Sequence, residues 1–484
     1  MSADFQRIGL AEDLANRSDD ALAALLTRRP DLASPPPQGT KVLAQRALTS
    51  ASVALAGDGL DLLTLAVIEA VITVGTAAEH AAVPAPITAD AVIDALTGRA
   101  ARREISARID LLLDLALLWG RRDALNSGVQ IASALPWKAL HLTGPLAAVP
   151  PDELTARIGD LDERPRELLA TLARGPALGR SRDAAPGADP DSPVARLISL
   201  GLLARVDDQT VELPPMIGRL LRGDPPLRTD TLAPPDLADP AAPRRFSADA
   251  IDATGGGEAL EAIRHTTSLL EALGATPAAV LRSGALGVRE LRRLAKVTGL
   301  SQERVAFLVE IAGHARLIDA GFPEPPPPAD RGEQAFAPTS AADSWLHLPP
   351  ERQWATLLDA WLDMPRRAWT VGEPDRDGNA NPALSSDLYD PTASPQRYLI
   401  LRALTFAPGA EPFSTASVCA GLAWRHPHQM RRLGTRVVDE TIAEARHLGV
   451  VAHQSLTSVG RLAVAGQSGP KSSGPEKSGP EKSG

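Results

Sequence analysis

Cationic and amide side chains cluster at two places where the sequence pattern predicts a helix-turn-helix. The first cluster, on the predicted second helix of residues 281–320, comprises Arg289, Arg292, Arg293 and Lys296. The second cluster, in residues 421–465, leads into the predicted third helix and comprises His428, Gln429, Arg431, Arg432 and Arg436. In a helix-turn-helix the second helix crosses the phosphate backbone, and the start of the third meets base edges. Arg and Gln clamp phosphates or hydrogen-bond to bases, so both clusters are predicted DNA-contact sites.

A solvated helix face that binds another protein would carry the same residue types. In residues 281–320 the third helix is expected to present Glu303 and Glu310 outward, where they would repel phosphates. DNA contact and protein contact therefore both stay open for these segments.

The distribution of charge along the chain bears on this choice. The 484-residue chain has a net charge of −9, which argues against a protein that coats nucleic acid indiscriminately. Residues 281–320 and 421–465 nevertheless each carry a net +3, whereas residues 224–257 carry −3. Local, modular contact with DNA therefore remains possible.

Motifs for catalysis, cofactors or metals are missing from the sequence. It contains no G-x-x-x-x-G-K-[ST] phosphate loop, no H-E-x-x-H and no G-x-S-x-G. The histidines His426, His428, His447 and His453 lack acidic or thiol partners at metal-site spacing, and Cys419 is expected to be a small core residue. We therefore predict no catalytic residue, no cofactor, no metal site and no enzymatic activity.

The expected cellular location follows from the lack of a disulfide pair, a signal peptide and a membrane-spanning stretch in the sequence. A single cysteine cannot form an internal disulfide. The acidic start does not resemble a signal peptide, and the longest apolar stretch, residues 60–74, falls short of the roughly 20 residues that a bilayer requires. A cytoplasmic protein with no membrane partner is expected.

The elements that position the two clusters belong to a recurring pattern. Apolar helical stripes run into β-prone residues at 105–119, 192–206, 301–320 and 437–453. In the third copy we predict a helix over Val288–Thr298, a turn at Gly299 and a helix capped by Ser301. Gly201 and Gly449 stand where a helix end needs the left-handed conformation. Residues 202–206 and 210–213 predict a β-hairpin.

Three helices followed by a hairpin are typical of a winged helix. The predicted fold is mainly α with small β wings, as tandem winged-helix (helix-turn-helix) units joined by Pro-rich linkers. The predicted segments are an N-terminal helical segment (1–58), winged-helix units at 59–145, 150–223, 258–322 and 392–466, a linker at 224–257, a linker with a Trp-rich helix at 323–391, and a disordered low-complexity tail at 467–484. Within the first linker, Gly255, Gly256 and Gly257 are expected to be flexible spacing. Trp354 and Trp361, seven residues apart, predict one apolar helix face that packs into a core.

Several stretches resemble the actinobacterial helicase-associated domain proteins, whose front half is related to the N-terminal region of XPB-type helicases. The resemblance lies in LAEDLANRSDDALAALLTRRPDLASPPP (10–37), GLDLLTLAVIEAV (59–71), RPRELLATLARGPALGR (164–180), DDQTVELPPMIGRLLRG (207–223), LRSGALGVRELRRLAK (281–296) and LTSVGRLAVAG (456–466). It implies a DNA-binding or helicase-accessory protein and supplies no catalytic residues. Family members generally continue past the position of Leu462 into an XPB-type C-terminal domain, whereas this sequence continues into SGPEK repeats, so no activity of that domain carries over.

From the residues and the resemblance together we predict a non-enzymatic accessory protein that binds duplex or forked DNA. Its expected partners are DNA and a helicase or another repair or transcription protein. The alternative is a winged-helix scaffold that binds proteins through the same faces.

Overall fold

A computed structural model describes residues 8–79, 86–137, 151–222, 232–239, 241, 245–324, 333–375, 377–407 and 409–465. The described chain is mainly helical, with small antiparallel sheets. It divides into two compact lobes. The N-terminal lobe comprises Met1–Pro234 with Ala423–Arg432, and the C-terminal lobe comprises Pro235–Leu422 with Leu433–Gly484.

The first half of the N-terminal lobe is a helical group that ends in a hairpin. Its elements are α1 (Leu10–Ala15), α2 (Asp19–Arg28), α3 (Thr40–Ala47), α4 (Ser50–Gly57), α5 (Leu62–Glu79), α6 (Ala89–Ala95), α7 (Arg102–Asp114), β1 (Leu118–Arg121) and β2 (Ala124–Ser127). Helix α7 buries Ile105, Ile109 and Leu112 at i, i+4 and i+7, so its apolar stripe faces the core formed with α5.

The second half of this lobe has its own core. Its elements are α8 (Pro151–Gly159), α9 (Glu163–Arg174), β3 (Leu178–Arg180), α10 (Pro193–Ser199), β4 (Ala204–Arg205), β5 (Thr210–Glu212) and α11 (Pro215–Leu221). The sheet has the order β3-β5-β4, and Val211 of its central strand belongs to the same buried cluster as Leu169 and Leu197. The antiparallel pairing of β4 with β5 confirms the predicted hairpin.

The C-terminal lobe begins with a long helix and alternates helices with short strands. Its elements in chain order are α12 (Ala248–Ala275), β6 (Ala278–Ala279), α13 (Val288–Thr298), α14 (Gln302–His314), β7 (Ile318–Gly321), β8 (Ala335–Pro338), α15 (Ser340–Leu346), α16 (Pro350–Asp363), α17 (Ala393–Leu404), α18 (Thr415–Arg425), α19 (Pro427–Leu433), α20 (Thr435–His447), β9 (Val451–Ala452), β10 (Ser455–Leu456) and α21 (Ser458–Ala465). Most of α19 is counted with the N-terminal lobe. One sheet has the order β6-β8-β7, and β9 pairs with β10.

Several local predictions are confirmed. Helix α13 has the predicted bounds, Gly299 adopts a left-handed φ of 71°, and the Ser301 hydroxyl accepts the Arg304 N–H at 3.1 Å. Gly201 and Gly449 are left-handed, with φ of 74° and 72°.

The predicted linker at 224–257 is wrong at its C-terminal end, because α12 begins at Ala248 and runs through all three glycines. Ser247 caps this helix by accepting the Ala250 N–H. Gly255 lets the helix approach the backbone of Gly449, since a Cβ at Gly255 would lie 2.8 Å from the Gly449 carbonyl oxygen. Tertiary packing therefore outweighs the low helix propensity of glycine.

The predicted linker at 323–391 is also wrong over much of its length. Strand β8 pairs with both β6 and β7, and its Phe336 is buried. Trp345 of α15 and Trp361 of α16 are buried as well, which confirms the core role expected for Trp361. These apolar side chains form part of the core, so the segment that contains them is not a linker between two units. The tail at 467–484 and the proline run within 325–332 lie outside the described residues.

Candidate nucleic-acid interface

Helix α13 carries a row of exposed cations. Its buried side chains, Leu291, Leu294 and Ala295, pack inward, in line with the contacts of α13 with α12 and α14. Arg289, Arg292 and Lys296 are exposed, and their i, i+3, i+7 spacing places them on one face of the helix. We call these three residues the cationic stripe.

The described residues provide no counter-charge in contact with the stripe. Among the residues that the structure describes, none of the three forms an ion pair. At 1.5 Å per residue the stripe extends roughly 10 Å, about three times the axial spacing of roughly 3.4 Å between successive phosphates of one DNA strand. Exposed Arg282, in the turn before α13, adds a further positive charge that the predicted contact set left out.

Arg293 has a different environment. Its Nε lies 2.7 Å from Glu290 Oε2, and its guanidinium donates to the Thr276 carbonyl oxygen at 3.0 Å. It therefore ties α13 to the end of α12. The i, i+3 spacing of Glu290 and Arg293 was a sequence signal for this ion pair.

Helix α14, which follows α13 as the third helix would, is buried on every side. Residues 304–312 are all buried, and the helix contacts α12, α13, α16 and β7. A helix enclosed in this way cannot enter a major groove.

The expectation that Glu310 points outward from α14 is wrong. Its carboxylate accepts the Leu384 N–H at 2.5 Å and pairs with Arg366 at 3.4 Å. Burial raises the pKa of Glu310 above its usual range. Glu303, on the first turn, is exposed as expected.

The second predicted cluster is split between two helices. His428, Gln429, Arg431 and Arg432 lie on α19, whereas Arg436 lies in the first turn of α20. Gln429, Arg431 and Arg432 are exposed, and the described residues offer the two arginines no ion-pair partner. These three side chains remain available for contact.

His428 is engaged within the N-terminal lobe. Its Nδ1 lies 3.2 Å from Asp58 Oδ1, and its Nε2 lies 2.8 Å from the Ala134 carbonyl oxygen. Its ring is therefore not free to contact DNA as predicted.

Arg436 is engaged within the C-terminal lobe. Its guanidinium donates a hydrogen bond to Glu373, lies 3.7 Å from Glu440 and stands 4.4 Å from the ring centroid of Trp369. The hydrogen bond to Glu373 raises the pKa of Arg436. The guanidinium of Arg436, which was predicted to contact DNA, therefore already interacts with three neighbouring side chains.

The remaining histidines have separate surroundings. The His447 carbonyl oxygen accepts from Arg304, and the His453 ring stacks on Phe246 at 3.7 Å. In the described part of the chain, no three His, Cys, Asp or Glu side chains converge as a metal site would require. Cys419 is half-buried, and burial raises the pKa of its thiol.

Comparison of the chain with protein-family models, with curated proteins and with solved structures finds no match. None of the helices in the described segments has the length and apolar character needed to cross a membrane.

Proposed function

We propose that this protein binds nucleic acid by contacting the phosphate backbone through the cationic stripe of α13. The observation that carries the proposal is a line of three exposed cations, Arg289, Arg292 and Lys296, without ion-pair partners among the described residues. A non-enzymatic accessory role beside a helicase, in repair or transcription, is part of the proposal and rests on the family resemblance alone.

The order of elements supports winged-helix units in two places. From α12 to β8 the order is helix, strand, two helices and a hairpin, with the first strand paired to the last in a β6-β8-β7 sheet. From α9 to β5 the sheet order is equivalent, β3-β5-β4, with a short helical turn at Arg182–Ala184 in place of the second helix. We propose winged-helix folds for both. They overlap the predicted units at 150–223 and 258–322, and the second extends beyond the predicted bounds to β8.

The burial of α14 makes the proposed contact independent of DNA sequence. In a helix-turn-helix the third helix supplies most base contacts, and here residues 304–312 are enclosed. Phosphate contacts position a protein on DNA but carry no sequence information directly. The stripe is therefore proposed to bind duplex or forked DNA of any sequence.

A second candidate is a scaffold that binds an acidic protein partner. Val297, next to Lys296, is 62% exposed, and Leu281, next to Arg282, is 43% exposed. Apolar side chains beside cations suit a protein partner, because they add contact area that a phosphate backbone would not use.

The test is binding of the full chain to duplex and forked DNA of several sequences over a salt series. Three phosphate contacts predict a log–log salt slope of about −2.7, which is roughly a fortyfold loss of affinity between about 50 and 200 mM salt. Replacing Arg289, Arg292 and Lys296 together by Gln should remove most of that slope. Affinity should change little with sequence.

A matched control keeps the same change in net charge. Arg103 on α7, Arg164 on α9 and Arg402 on α17 are exposed, and the described residues give them no ion pair. Replacing these three by Gln should leave most of the slope in place. The proposal fails if no DNA binds near 50 mM salt, or if both triple variants behave alike. Salt-sensitive binding of an acidic protein, with no binding of DNA, would favour the scaffold.

A further inference from the structure

Phe322 is an aromatic side chain that stands in solvent just after the end of strand β7. It is 67% exposed, whereas Phe336 in the neighbouring strand β8 is 5% exposed. None of the rings or cations in the described residues stacks on Phe322. A lone exposed apolar side chain is ordinary in a soluble domain, so the surroundings of Phe322 decide what its free face can bind.

The strand register places Phe322 at the same end of the sheet as the chain that leads into α13. Ala335 of β8 pairs with Ala279 of β6 on one side and with Gly321 of β7 on the other. The Val280 N–H donates to the next β8 carbonyl oxygen at 3.4 Å, so the chain leaves β6 in the direction that Phe322 takes after Gly321. Because β8 stands between β6 and β7 and neighbouring strands lie about 4.8 Å apart, roughly 10 Å separates the two departing chains.

The turn that follows β6 adds a positive charge at this end of the sheet. The Leu281 N–H donates to the Ala285 carbonyl oxygen at 2.9 Å, which closes the turn shortly before α13 begins. Leu281 is 43% exposed, and Arg282 is exposed with no ion-pair partner in the described part of the chain. Arg289 of the cationic stripe follows on the first turn of α13. Cations therefore lie on the β6 side of this end, and an aromatic ring lies on the β7 side.

Carboxylates near Phe322 restrict which part of a nucleotide can approach it. Glu324, two residues after Phe322, and Glu333, two residues before β8, are both exposed. They repel phosphates, so a nucleic-acid backbone is favoured on the side of Arg282. The uncharged face of a base suits the side of Phe322. This charge arrangement matches a nucleotide that turns its phosphate to the cations and its base to the ring.

We propose that Phe322 stacks on an unpaired base of a DNA strand whose phosphates are held by Arg282 and the cationic stripe. Within a duplex the neighbouring bases cover each base face, so a side chain in a groove meets only the base edges. An unpaired base exposes its face, and aromatic side chains stack on that face whatever the base. The inference rests on the proposed phosphate contact of α13 and extends it, because it makes forked or single-stranded DNA the preferred ligand over plain duplex.

The test is binding of the full chain to duplex, forked and single-stranded DNA of one sequence at one salt concentration. Phe322→Ala should weaken binding of the forked and single-stranded DNA by about tenfold, as expected for the loss of one stacked base, and should leave duplex binding unchanged. Phe322→Trp should keep the preference for unpaired DNA, because its larger ring still stacks. Tyr389→Ala, at an aromatic side chain that is 61% exposed outside this sheet, should change none of the three affinities.

The same measurements separate this inference from the proposed function. If the unsubstituted chain binds no DNA, the proposed function and the inference are both wrong. The inference alone is wrong if duplex DNA binds with a salt slope that depends on the stripe, but Phe322→Ala leaves binding of forked and single-stranded DNA unchanged. It is also wrong if Phe322→Ala weakens duplex binding to the same extent. Unchanged duplex binding shows in addition that the Ala variant is folded.

Discussion

Replacing Glu444 by Gln should strongly destabilise the C-terminal lobe, because it leaves a buried arginine without its counter-ion. The side chains of Arg397 and Glu444 are 4% and 7% exposed, and Arg397 Nε lies 3.5 Å from Glu444 Oε2. Burial raises the pKa of Glu444 and lowers that of Arg397. Removing one partner of such a pair typically costs about 3–5 kcal/mol.

The geometry places the expected cost at the lower end of that range. Arg397 keeps two acceptors, the Met364 carbonyl oxygen at 2.5 Å and the Arg366 carbonyl oxygen. The Gln side chain has the same shape as Glu and can still accept the Trp361 Nε1–H, which lies 2.7 Å from Glu444 Oε2. The variant therefore isolates the loss of charge, and we expect a decrease of about 3 kcal/mol in the free energy of unfolding.

Urea denaturation of the full chain, with linear extrapolation of each transition, measures this change. Glu440→Gln is the matched control, because Glu440 lies one turn earlier on α20, is 34% exposed and pairs with Arg436 at 3.7 Å. An exposed pair of this kind is worth at most about 1 kcal/mol. The double variant Arg397→Met with Glu444→Gln should recover part of the loss. The reasoning is refuted if Glu444→Gln costs no more than Glu440→Gln.

Two further predictions concern the same lobe. Gly255→Ala should lower the free energy of unfolding by about 1–3 kcal/mol, because the added Cβ would lie 2.6 Å from Thr457 Cγ2. Gly256→Ala should raise it by about 0.5–1 kcal/mol, because a Cβ at that position has no atom within 4 Å and alanine favours the helix. Thermal unfolding of both variants checks this contrast, and shifts in the same direction would contradict it. Because burial raises the pKa of Glu310, the folded protein binds a proton before the unfolded chain as the pH falls. Stability should therefore rise from pH 7 towards pH 5. Glu310→Gln should flatten that rise in urea denaturation at several pH values, and an unchanged slope would disprove the link.

Features that depend on neighbouring residues were predicted well from the sequence. The cap at Ser301 and the left-handed turn at Gly299 follow from local backbone chemistry. The exposed positions of the cationic stripe follow from the helical period, because Leu291 and Leu294 occupy the opposite side of α13.

Features that depend on distant partners could not be predicted in this way. From the sequence, His428 is a polar residue at the start of a helix. The carbonyl oxygen that its ring contacts belongs to Ala134, which is 294 positions away in sequence. The sequence pattern predicts that Glu310 faces outward. Its partners in the structure, Leu384 and Arg366, are far away in sequence, so they could not be foreseen. Helical periodicity shows which side chains share a face, but not whether another element covers that face.

The chain passes from the C-terminal lobe into the N-terminal lobe at Ala423 and returns after Arg432. Within this segment, Trp424 belongs to the core of the N-terminal lobe, and His428 contacts the carbonyl oxygen of Ala134, a residue of the same core. During synthesis the N-terminal lobe therefore lacks one of its parts until the ribosome has passed Arg432, although domains generally fold as units from the N-terminus onwards. The two lobes cannot complete folding one after the other, and a fragment that ends at Pro234 would expose the sites that α19 and Trp424 normally fill.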